Sequence, residues 1–258
     1  MSEKNLAKMG SAKVTLVEYN GLRCIKKTNA SQVERDFYQH SANQISGVNT
    51  PQLVDLVGDT LYIEYIPQQV SLAFLHLQPS CFQQLAAIHQ SSHVPQFNLK
   101  QHHWTQAATD SALSVLALPN ITSDALMTMC ASSDELFSPN TLISGDSNEG
   151  NWGARKNRDL VLFDWERFGK GSPAIDLAPL IRGMGAIQEY DFIVDRYLEC
   201  NDCMTKGTLF KHVVLAKGWI VVEVTNLLVS RKNKNTQMYL DWYKRELPNW
   251  MSRIEQVF

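Results

Sequence analysis

Three oxygen-bearing side chains in the middle of the chain have types and spacings that can do chemistry. Asp146 precedes Asn151 by five positions in the stretch LISGDSNEGNWG, and Asp164 follows Asn151 by thirteen. A carboxylate such as Asp146 can accept a proton from a hydroxyl group, while an asparagine oxygen and a second carboxylate are hard ligands of the kind that Mg²⁺ takes. The alternative is turn chemistry, because Asp and Asn favour loops through local hydrogen bonds to the backbone.

The elements before these residues read as a small sheet with one helix. Residues 14–19 and 22–27 are rich in β-formers and are joined by Asn20-Gly21, a strong hairpin signal. Residues 52–57 and 60–66 form a second predicted hairpin around Gly-Asp. Between the hairpins, the capping-box sequence SQVE at residues 31–34 predicts the start of a helix.

After Pro67 the spacing of apolar residues becomes helical. Helices are predicted within 80–91, 102–117, 122–131, 187–197, 209–230 and 236–257, the last one kinked or split at Pro248. A short strand is predicted at 160–163, just before Asp164. A sheet followed by many helices favours an α+β fold over a doubly wound sheet, in which strands and helices would alternate throughout.

Three motifs follow one another between residues 144 and 178: SGDSNEGN, LFDWE and GSPAIDLA. They resemble the signature of aminoglycoside phosphotransferases and choline kinases, which is H-G-D-x-x-x-x-N, hydrophobic-D-[FW]-E and G-D-P-x-x-D-L-A, and are most similar to bacterial choline or thiamine kinases. The resemblance implies a protein-kinase-like α+β fold, with an N-terminal nucleotide-binding sheet lobe at 1–66 and a helical catalytic lobe at 67–258. It also implies a small-molecule kinase that uses ATP and Mg²⁺, with Asp146 as the catalytic residue and Asn151 and Asp164 as the metal ligands.

The resemblance also assigns nucleotide-binding residues in the first lobe. Lys26 matches the strand lysine that holds the α and β phosphates, and strand alternation places it on the face opposite Lys27. Glu34 matches the helix glutamate that pairs with this lysine, or else it serves only as the last residue of the capping box. Glu64 and Ile66 fall at the hinge, where backbone groups hydrogen-bond the nucleotide base.

Several positions depart from the family pattern. Ser144 replaces the histidine two residues before Asp146, Asn148 stands where relatives often carry histidine, and Ser172 replaces the aspartate of G-D-P. The segment MGSAK at residues 9–13 sits where a phosphate-covering loop is expected, yet it has a single glycine. These departures keep open a second interpretation, a catalytically silent kinase-like domain that binds a nucleotide.

The acceptor hydroxyl is the least constrained part of the prediction. Trp219 and Glu223 are four residues apart on one helix face, and with Glu166 they suit a small cationic alcohol, similar to choline or thiamine, through cation-π and Coulomb attraction. The alternative for Trp219 is ordinary core packing. An aminoglycoside acceptor would instead favour Glu149, Glu166 and residues 199–202.

Composition bounds the partners and the compartment. The formal net charge of -2, from 24 basic and 26 acidic side chains, gives no general attraction to nucleic acid. No run approaches the roughly 18 apolar residues of a membrane span, and the first residues lack the apolar core of a signal peptide. Five cysteines fit reduced thiols. We therefore expect a cytoplasmic monomer or homodimer that binds a small molecule and neither nucleic acid nor a membrane.

Overall fold

The computed structural model describes residues 12–202 and 204–254, so most of the predicted phosphate-covering loop at 9–13 lies outside the described residues. The chain forms two compact units, each of which takes two separate segments. The first holds the described residues up to Gln101 together with Thr141–Lys170, and the second holds His102–Asn140 and the described residues from Gly171 onwards. The boundaries of these units do not coincide with the predicted division at residue 66, because 67–101 and 141–170 belong to the first unit.

The first unit contains all of the β-strands found in the described residues. Its strands and helices are β1 (Lys13–Tyr19), β2 (Leu22–Thr28), α1 (Gln32–Asp36), β3 (Leu53–Val57), β4 (Thr60–Glu64), β5 (Gln68–Gln69), α2 (Leu72–Leu77), α3 (Pro79–His89), β6 (Leu142–Ile143), β7 (Trp152–Ala154), β8 (Leu160–Leu162) and β9 (Gly169–Lys170). Strands β1 to β4 form an antiparallel sheet in the order β1-β2-β4-β3, a second sheet has the order β5-β7-β8, and β6 pairs with β9.

Local turn chemistry explains both hairpins of the four-stranded sheet. Asn20 and Gly21 have φ angles of 51° and 75°, which asparagine and glycine tolerate better than other residues, and they place Tyr19 opposite Leu22. Gly58, at φ 62°, serves the same purpose between β3 and β4. Both hairpins are as predicted.

The first helix is short and changes its winding. Ser31 caps α1 by accepting a hydrogen bond from the backbone N–H of Glu34 at 3.2 Å. After Asp36 the chain continues as a π-helix over Phe37–Ser41, where the sequence predicted one regular helix. Such single π-helical turns often lie at functional sites.

Within the described residues, the regular secondary structure of the second unit is all helical. Its helices are α4 (Gln106–Leu116), α5 (Asn120–Ala131), α6 (Asp134–Phe137), α7 (Ala174–Leu177), α8 (Ile187–Leu198), α9 (Lys206–Ser230) and α10 (Thr236–Ile254). Five of them, α4, α5, α8, α9 and α10, agree with predicted helices, whereas the short helices α6 and α7 were not predicted. Pro248 lies inside α10, which continues as one helix rather than splitting.

Helix α9 is the centre of the second unit. It packs against the six other helices of the unit, and residues from Leu209 to Leu228 are buried along its length. By length and composition, this helix could cross a membrane, but 61% of its apolar 18-residue stretch is buried inside the protein. Its position in the core of the unit explains why it is apolar.

Candidate active site

The predicted catalytic residues all lie in the first unit. The loop from Gly145 to Asn151 follows β6, and Asp164 follows β8. The two segments are held together because β7 pairs with β8 and because the N–H of Phe163 donates to the carbonyl of Asn151 at 3.0 Å. Asp146, Asn151 and Asp164 are therefore brought to one region of one unit.

A single lysine joins β2 to this region. The Nζ atom of Lys27 lies 2.7 Å from Oε2 of Glu34 and 2.7 Å from Oδ1 of Asp164. Lys27 and Glu34 come from the consecutive elements β2 and α1, and Asp164 comes from the segment after β8, which is distant in sequence. The contacts form a charge cluster of one ammonium and two carboxylates, in which Lys27 and Glu34 are buried and Asp164 is half-buried.

The prediction that Lys26 contacts Glu34 is wrong by one residue. Lys26 pairs with Tyr62 in the sheet, and its Nζ lies 5.9 Å from the centre of the Tyr62 ring, on the face opposite Lys27. Lys27 instead pairs with the fully buried Leu61. Both faces of β2 carry a buried residue, so alternation alone could not show which face meets α1.

Electrostatics at Lys27 and Glu34 follow from their burial. Burial raises the pKa of Glu34 to about 7, although the ammonium of Lys27 acts in the opposite direction. Burial alone would lower the pKa of Lys27, but the charges of Glu34 and Asp164 raise it overall. Lys27 therefore stays charged. The side chain of Glu34 forms the ion pair with Lys27, and its backbone N–H donates to the helix cap Ser31.

The backbone of Asp164 is in an uncommon conformation. Its φ angle of 67° is left-handed, which asparagine and aspartate tolerate better than most residues but which still costs free energy. The next residue, Trp165, is fully buried and stacks on Phe37 with ring centres 3.9 Å apart and planes 9° apart. This stack ties the position of Asp164 to the π-helical segment that follows Glu34.

Asp146 is held by its own loop. Its Oδ1 accepts a hydrogen bond from Nδ2 of Asn148 at 2.6 Å, and its backbone carbonyl accepts one from Nδ2 of Asn151 at 2.9 Å. Burial raises the pKa of Asp146, while the hydrogen bond from Asn148 and the charge of Arg167 oppose the shift. A raised pKa makes a carboxylate a better proton acceptor near neutral pH.

Ser144, at the position of the family's histidine, lies at the start of this loop. It is buried, and its Oγ meets the N–H of Asp146 at a long 3.4 Å. The Nε of Arg167 donates to the carbonyl of Gly145 at 3.0 Å. Gly145 has φ 80°, and a Cβ atom there would lie 2.3 Å from the carbonyl oxygen of Arg167, so this contact requires glycine. Sequence reasoning missed Arg167, for which no spacing rule provides a signal.

Asn151 and Asp164 form a donor set that fits Mg²⁺. Because Nδ2 of Asn151 is engaged with the Asp146 carbonyl, Oδ1 is the atom left for a ligand, and Asp164 keeps one carboxylate oxygen that Lys27 does not contact. Mg²⁺ typically takes one or two protein oxygens and completes its shell with phosphate and water. Within the described ranges, no group of three or more His, Cys, Asp or Glu side chains is suited to a metal.

The two predicted hinge residues occupy different surroundings. Glu64 forms a bidentate pair with Arg155, with Oε1 2.8 Å from Nε and Oε2 2.7 Å from Nη2, and this pairing lowers the pKa of Glu64. Ile66 is half-buried, and its side chain would be 2.7 Å from a Cβ atom at Gly153. The side chain of Glu64 thus stabilises the end of β4, and its backbone N–H donates to the carbonyl of Gln52 at 2.8 Å.

The predicted acceptor residue Trp219 does not offer its ring to a ligand. Trp219 is only 2% exposed, its indole N–H donates to the carbonyl of His103 at 3.2 Å, and its ring meets His102 and Phe137 edge to face. Trp219 is thus a core residue of the second unit, which corrects the proposed cation-π role. Glu223, one turn further along α9, is half-buried.

Two other acidic residues considered for the acceptor lie in the first unit. Glu166 is half-buried, and its negative charge adds to the raised pKa of Glu34, which places it near the charge cluster. Oε2 of Glu149 accepts a hydrogen bond from the N–H of Leu72 at 2.7 Å and so caps α2. Glu166 therefore remains available to a ligand, whereas Glu149 has a structural partner.

Comparison with known proteins gives matches in structure only. No protein-family model and no curated protein matches the sequence. A choline/ethanolamine kinase family protein from Mesorhizobium loti is similar, with a TM-score of 0.69, 15% identity and coverage of 97% of this chain and 88% of that one. The choline kinase LicA from Streptococcus pneumoniae has a TM-score of 0.66 and 13% identity, over 98% and 94% of the two chains.

An antibiotic-related protein is equally similar. The GDP and kanamycin complex of APH(2")-IIia has a TM-score of 0.69 and 15% identity, over 97% of this chain and 93% of that one. The resemblance to choline kinases and aminoglycoside phosphotransferases is thus confirmed at the level of the fold. The chain has the protein-kinase-like α+β fold that the sequence predicted.

Proposed function

We propose that this chain is a phosphotransferase that uses ATP and Mg²⁺ to phosphorylate a hydroxyl group of a small molecule. The observation that carries the proposal is the cluster in which Nζ of Lys27 lies 2.7 Å from both Glu34 and Asp164, in the same unit as Asp146 and Asn151. A lysine paired with a helix glutamate, beside a metal-binding aspartate, is the arrangement that kinases use to bind nucleotide phosphates.

Each residue of the cluster has a distinct task in this proposal. Lys27 binds the α and β phosphates and is kept charged and in place by Glu34. Asn151 and Asp164 hold Mg²⁺, which when bound neutralises negative charge on the phosphates. This role of Lys27 replaces the one predicted for Lys26.

Asp146 acts on the acceptor. Its carboxylate orients the hydroxyl group and takes its proton as the hydroxyl oxygen bonds to the γ-phosphorus and the bond from that phosphorus to ADP breaks. The proton ends on Asp146, and ADP leaves with the electron pair. The raised pKa of Asp146 supports the assignment because such a carboxylate holds a proton more readily than an exposed one.

For the acceptor we propose a small cationic alcohol of the choline or thiamine type, with an aminoglycoside as the alternative. The names of the structural neighbours support both classes. The half-buried carboxylate of Glu166 beside the cluster supports a positive charge on the acceptor, whereas the burial of Trp219 removes one argument for it. We further propose that the protein works in the cytoplasm as a monomer or homodimer.

The proposal is tested by measuring ATP consumption in the presence of Mg²⁺ across choline, ethanolamine, thiamine, sugars, fructosamines and aminoglycosides. We expect turnover with one acceptor class and a loss of roughly 100-fold or more in Asp146→Asn. Equal rates in wild type and Asp146→Asn would overturn the role of Asp146. ATP binding without turnover on any acceptor would favour the silent nucleotide-binding domain that Ser144 suggests.

A further inference from the structure

The side chain of Asn148 makes two hydrogen bonds within the catalytic loop, one from each end of its amide. Oδ1 accepts from the backbone N–H of Gly150 at 2.8 Å, which caps the short 3₁₀ turn Glu149–Asn151. Nδ2 donates to Oδ1 of Asp146 at 2.6 Å. Because the cap fixes the oxygen end of the amide, the donor end is directed at one particular carboxylate oxygen.

The second oxygen of Asp146, Oδ2, is not the atom that Nδ2 of Asn148 holds. Asp146 is half-buried, and the backbone N–H of Asn148 also donates to its carboxylate. The backbone of Asp146 is fixed separately, since its carbonyl accepts from Nδ2 of Asn151 at 2.9 Å. Main chain and side chain are thus each held by one asparagine, and rotation of the carboxylate is opposed by Asn148.

We infer that Asn148 is a positioning residue that holds Oδ1 of Asp146 so that Oδ2 faces the acceptor hydroxyl. This inference rests on the proposed function. Oγ of Ser144 contacts the backbone N–H of Asp146 at 3.4 Å. Asn148, two residues after Asp146, donates to the carboxylate itself.

Two substitutions separate positioning from capping. Ser and Asp cap helix starts as well as Asn, so Asn148→Ser and Asn148→Asp both keep an acceptor for the N–H of Gly150. Serine is too short to reach the carboxylate of Asp146, and aspartate places a like charge against it. A residue needed only for the cap would leave both variants as active as wild type.

A matched control lies in the turn between β7 and β8. Asn157 makes a similar pair of contacts, as its Nδ2 donates to Oδ2 of an aspartate two residues away, Asp159, at 2.7 Å, and its Oδ1 accepts from the backbone N–H of that same residue at 3.2 Å. The side chain is exposed and outside the catalytic loop. Asn157→Asp thus makes the same chemical change at a site where no effect on turnover is expected.

The experiment measures kcat and the KM for ATP with the accepted acceptor and, separately, the slow hydrolysis of ATP by water, with thermal unfolding to verify folding. We expect kcat to fall roughly tenfold in Asn148→Ser and further in Asn148→Asp. The KM for ATP of Asn148→Ser should stay within about twofold of wild type. The control Asn157→Asp should keep its kcat within about twofold of wild type. Unchanged kcat in both Asn148 variants overturns the inference and leaves the proposed function standing. A wild-type protein that neither phosphorylates an acceptor nor hydrolyses ATP overturns both.

Discussion

At the scale of single residues, Lys27 is the group on which nucleotide binding depends. One ammonium serves two carboxylates, Glu34 and Asp164, at 2.7 Å each. We expect Lys27→Met to reduce turnover by roughly 100-fold, because a positive charge aimed at the phosphates is lost. Isothermal titration calorimetry with ATP and Mg²⁺, together with the turnover assay, measures the effect.

The neighbouring lysine provides the control for this prediction. Lys26→Met makes the same chemical change one position earlier, on the opposite face of β2 over the ring of Tyr62. Turnover and ATP affinity of Lys26→Met are expected within about twofold of wild type, since substitutions away from a functional contact have small effects. A large loss of turnover in Lys26→Met, with little effect in Lys27→Met, would instead support the role assigned to Lys26 from the sequence.

This pair of lysines shows what the sequence could determine about the site. The type and spacing of Asp146, Asn151 and Asp164 were sufficient to predict that they come together, because the loop and the following strand are local. Which of two adjacent lysines points at α1 depends on which face of the sheet that helix covers. That choice is made by tertiary packing, and a strand pattern with buried residues on both faces does not reveal it.

Buried Lys217 makes the stability of the second unit depend on pH. Its Nζ donates to the carbonyls of Ala178 at 2.9 Å and Ile181 at 2.7 Å, and burial lowers its pKa to about 7, although the charge of Glu189 acts against the shift. In the unfolded chain the pKa returns to about 10.5. Folding thus releases a proton between these pH values, so the free energy of unfolding increases as pH rises from 7, by up to ~1.4 kcal/mol per pH unit.

Lys217→Met removes this titrating group. Urea denaturation gives the free energy of unfolding of wild type and of Lys217→Met at pH 7 and at pH 9. We expect the value for wild type minus the value for Lys217→Met to be larger at pH 9 than at pH 7. A parallel pH dependence in the two proteins would show that the ammonium of Lys217 is not desolvated in the folded state. Lys211→Met, which removes an exposed lysine on the same helix, is the control.

At the scale of elements, the stack of Trp165 on Phe37 sets the distance between α1 and the end of β8. Trp165→Leu removes this stack and the hydrogen bond from the indole N–H to the carbonyl of Leu162 at 3.1 Å. We expect about 3 kcal/mol lower stability and at least tenfold weaker ATP binding, because Glu34 and Asp164 lose their fixed separation. Urea denaturation and calorimetry give the two values.

An equally buried tryptophan in the other unit separates stability from binding. Trp219→Leu is expected to cost a similar ~3 kcal/mol, since Trp219 is a core residue with a hydrogen bond to His103. Its ATP affinity should remain that of wild type. Equal losses of ATP affinity in both variants would mean that the Trp165 effect comes from general destabilisation and not from the position of Asp164.

The elements that could be predicted are those with local signals. The hairpin at Asn20-Gly21 and the long helix α9 follow from turn chemistry and helical spacing. The two-residue strands β5, β6 and β9 are too short to carry a pattern, and they form only because partners distant in sequence reach them. The π-helical turn Phe37–Ser41 likewise has no local signal and coincides with the packing of Phe37 on Trp165.

At the scale of the whole molecule, the chain passes between its two units more than once. The first unit needs both the segment up to Gln101 and Thr141–Lys170, and every proposed nucleotide and metal ligand lies in one of these two segments. A division after residue 66 would therefore separate Lys27 and Glu34 from Asp164. Nucleotide binding and folding of this unit should be linked, because a ligand that binds only the folded state stabilises it.

Hydrogen-deuterium exchange tests this linkage on the intact protein. With ATP and Mg²⁺ at 100 times the dissociation constant, the globally exchanging amides of β2, β4, β7 and β8 should gain up to ~2.7 kcal/mol of protection together. In Lys27→Met the same addition should have little effect, whereas Lys26→Met should behave as wild type. Protection confined to β2 and β4, with β7 and β8 unchanged, would mean that the segment carrying Asp164 does not fold as one unit with the nucleotide-binding sheet.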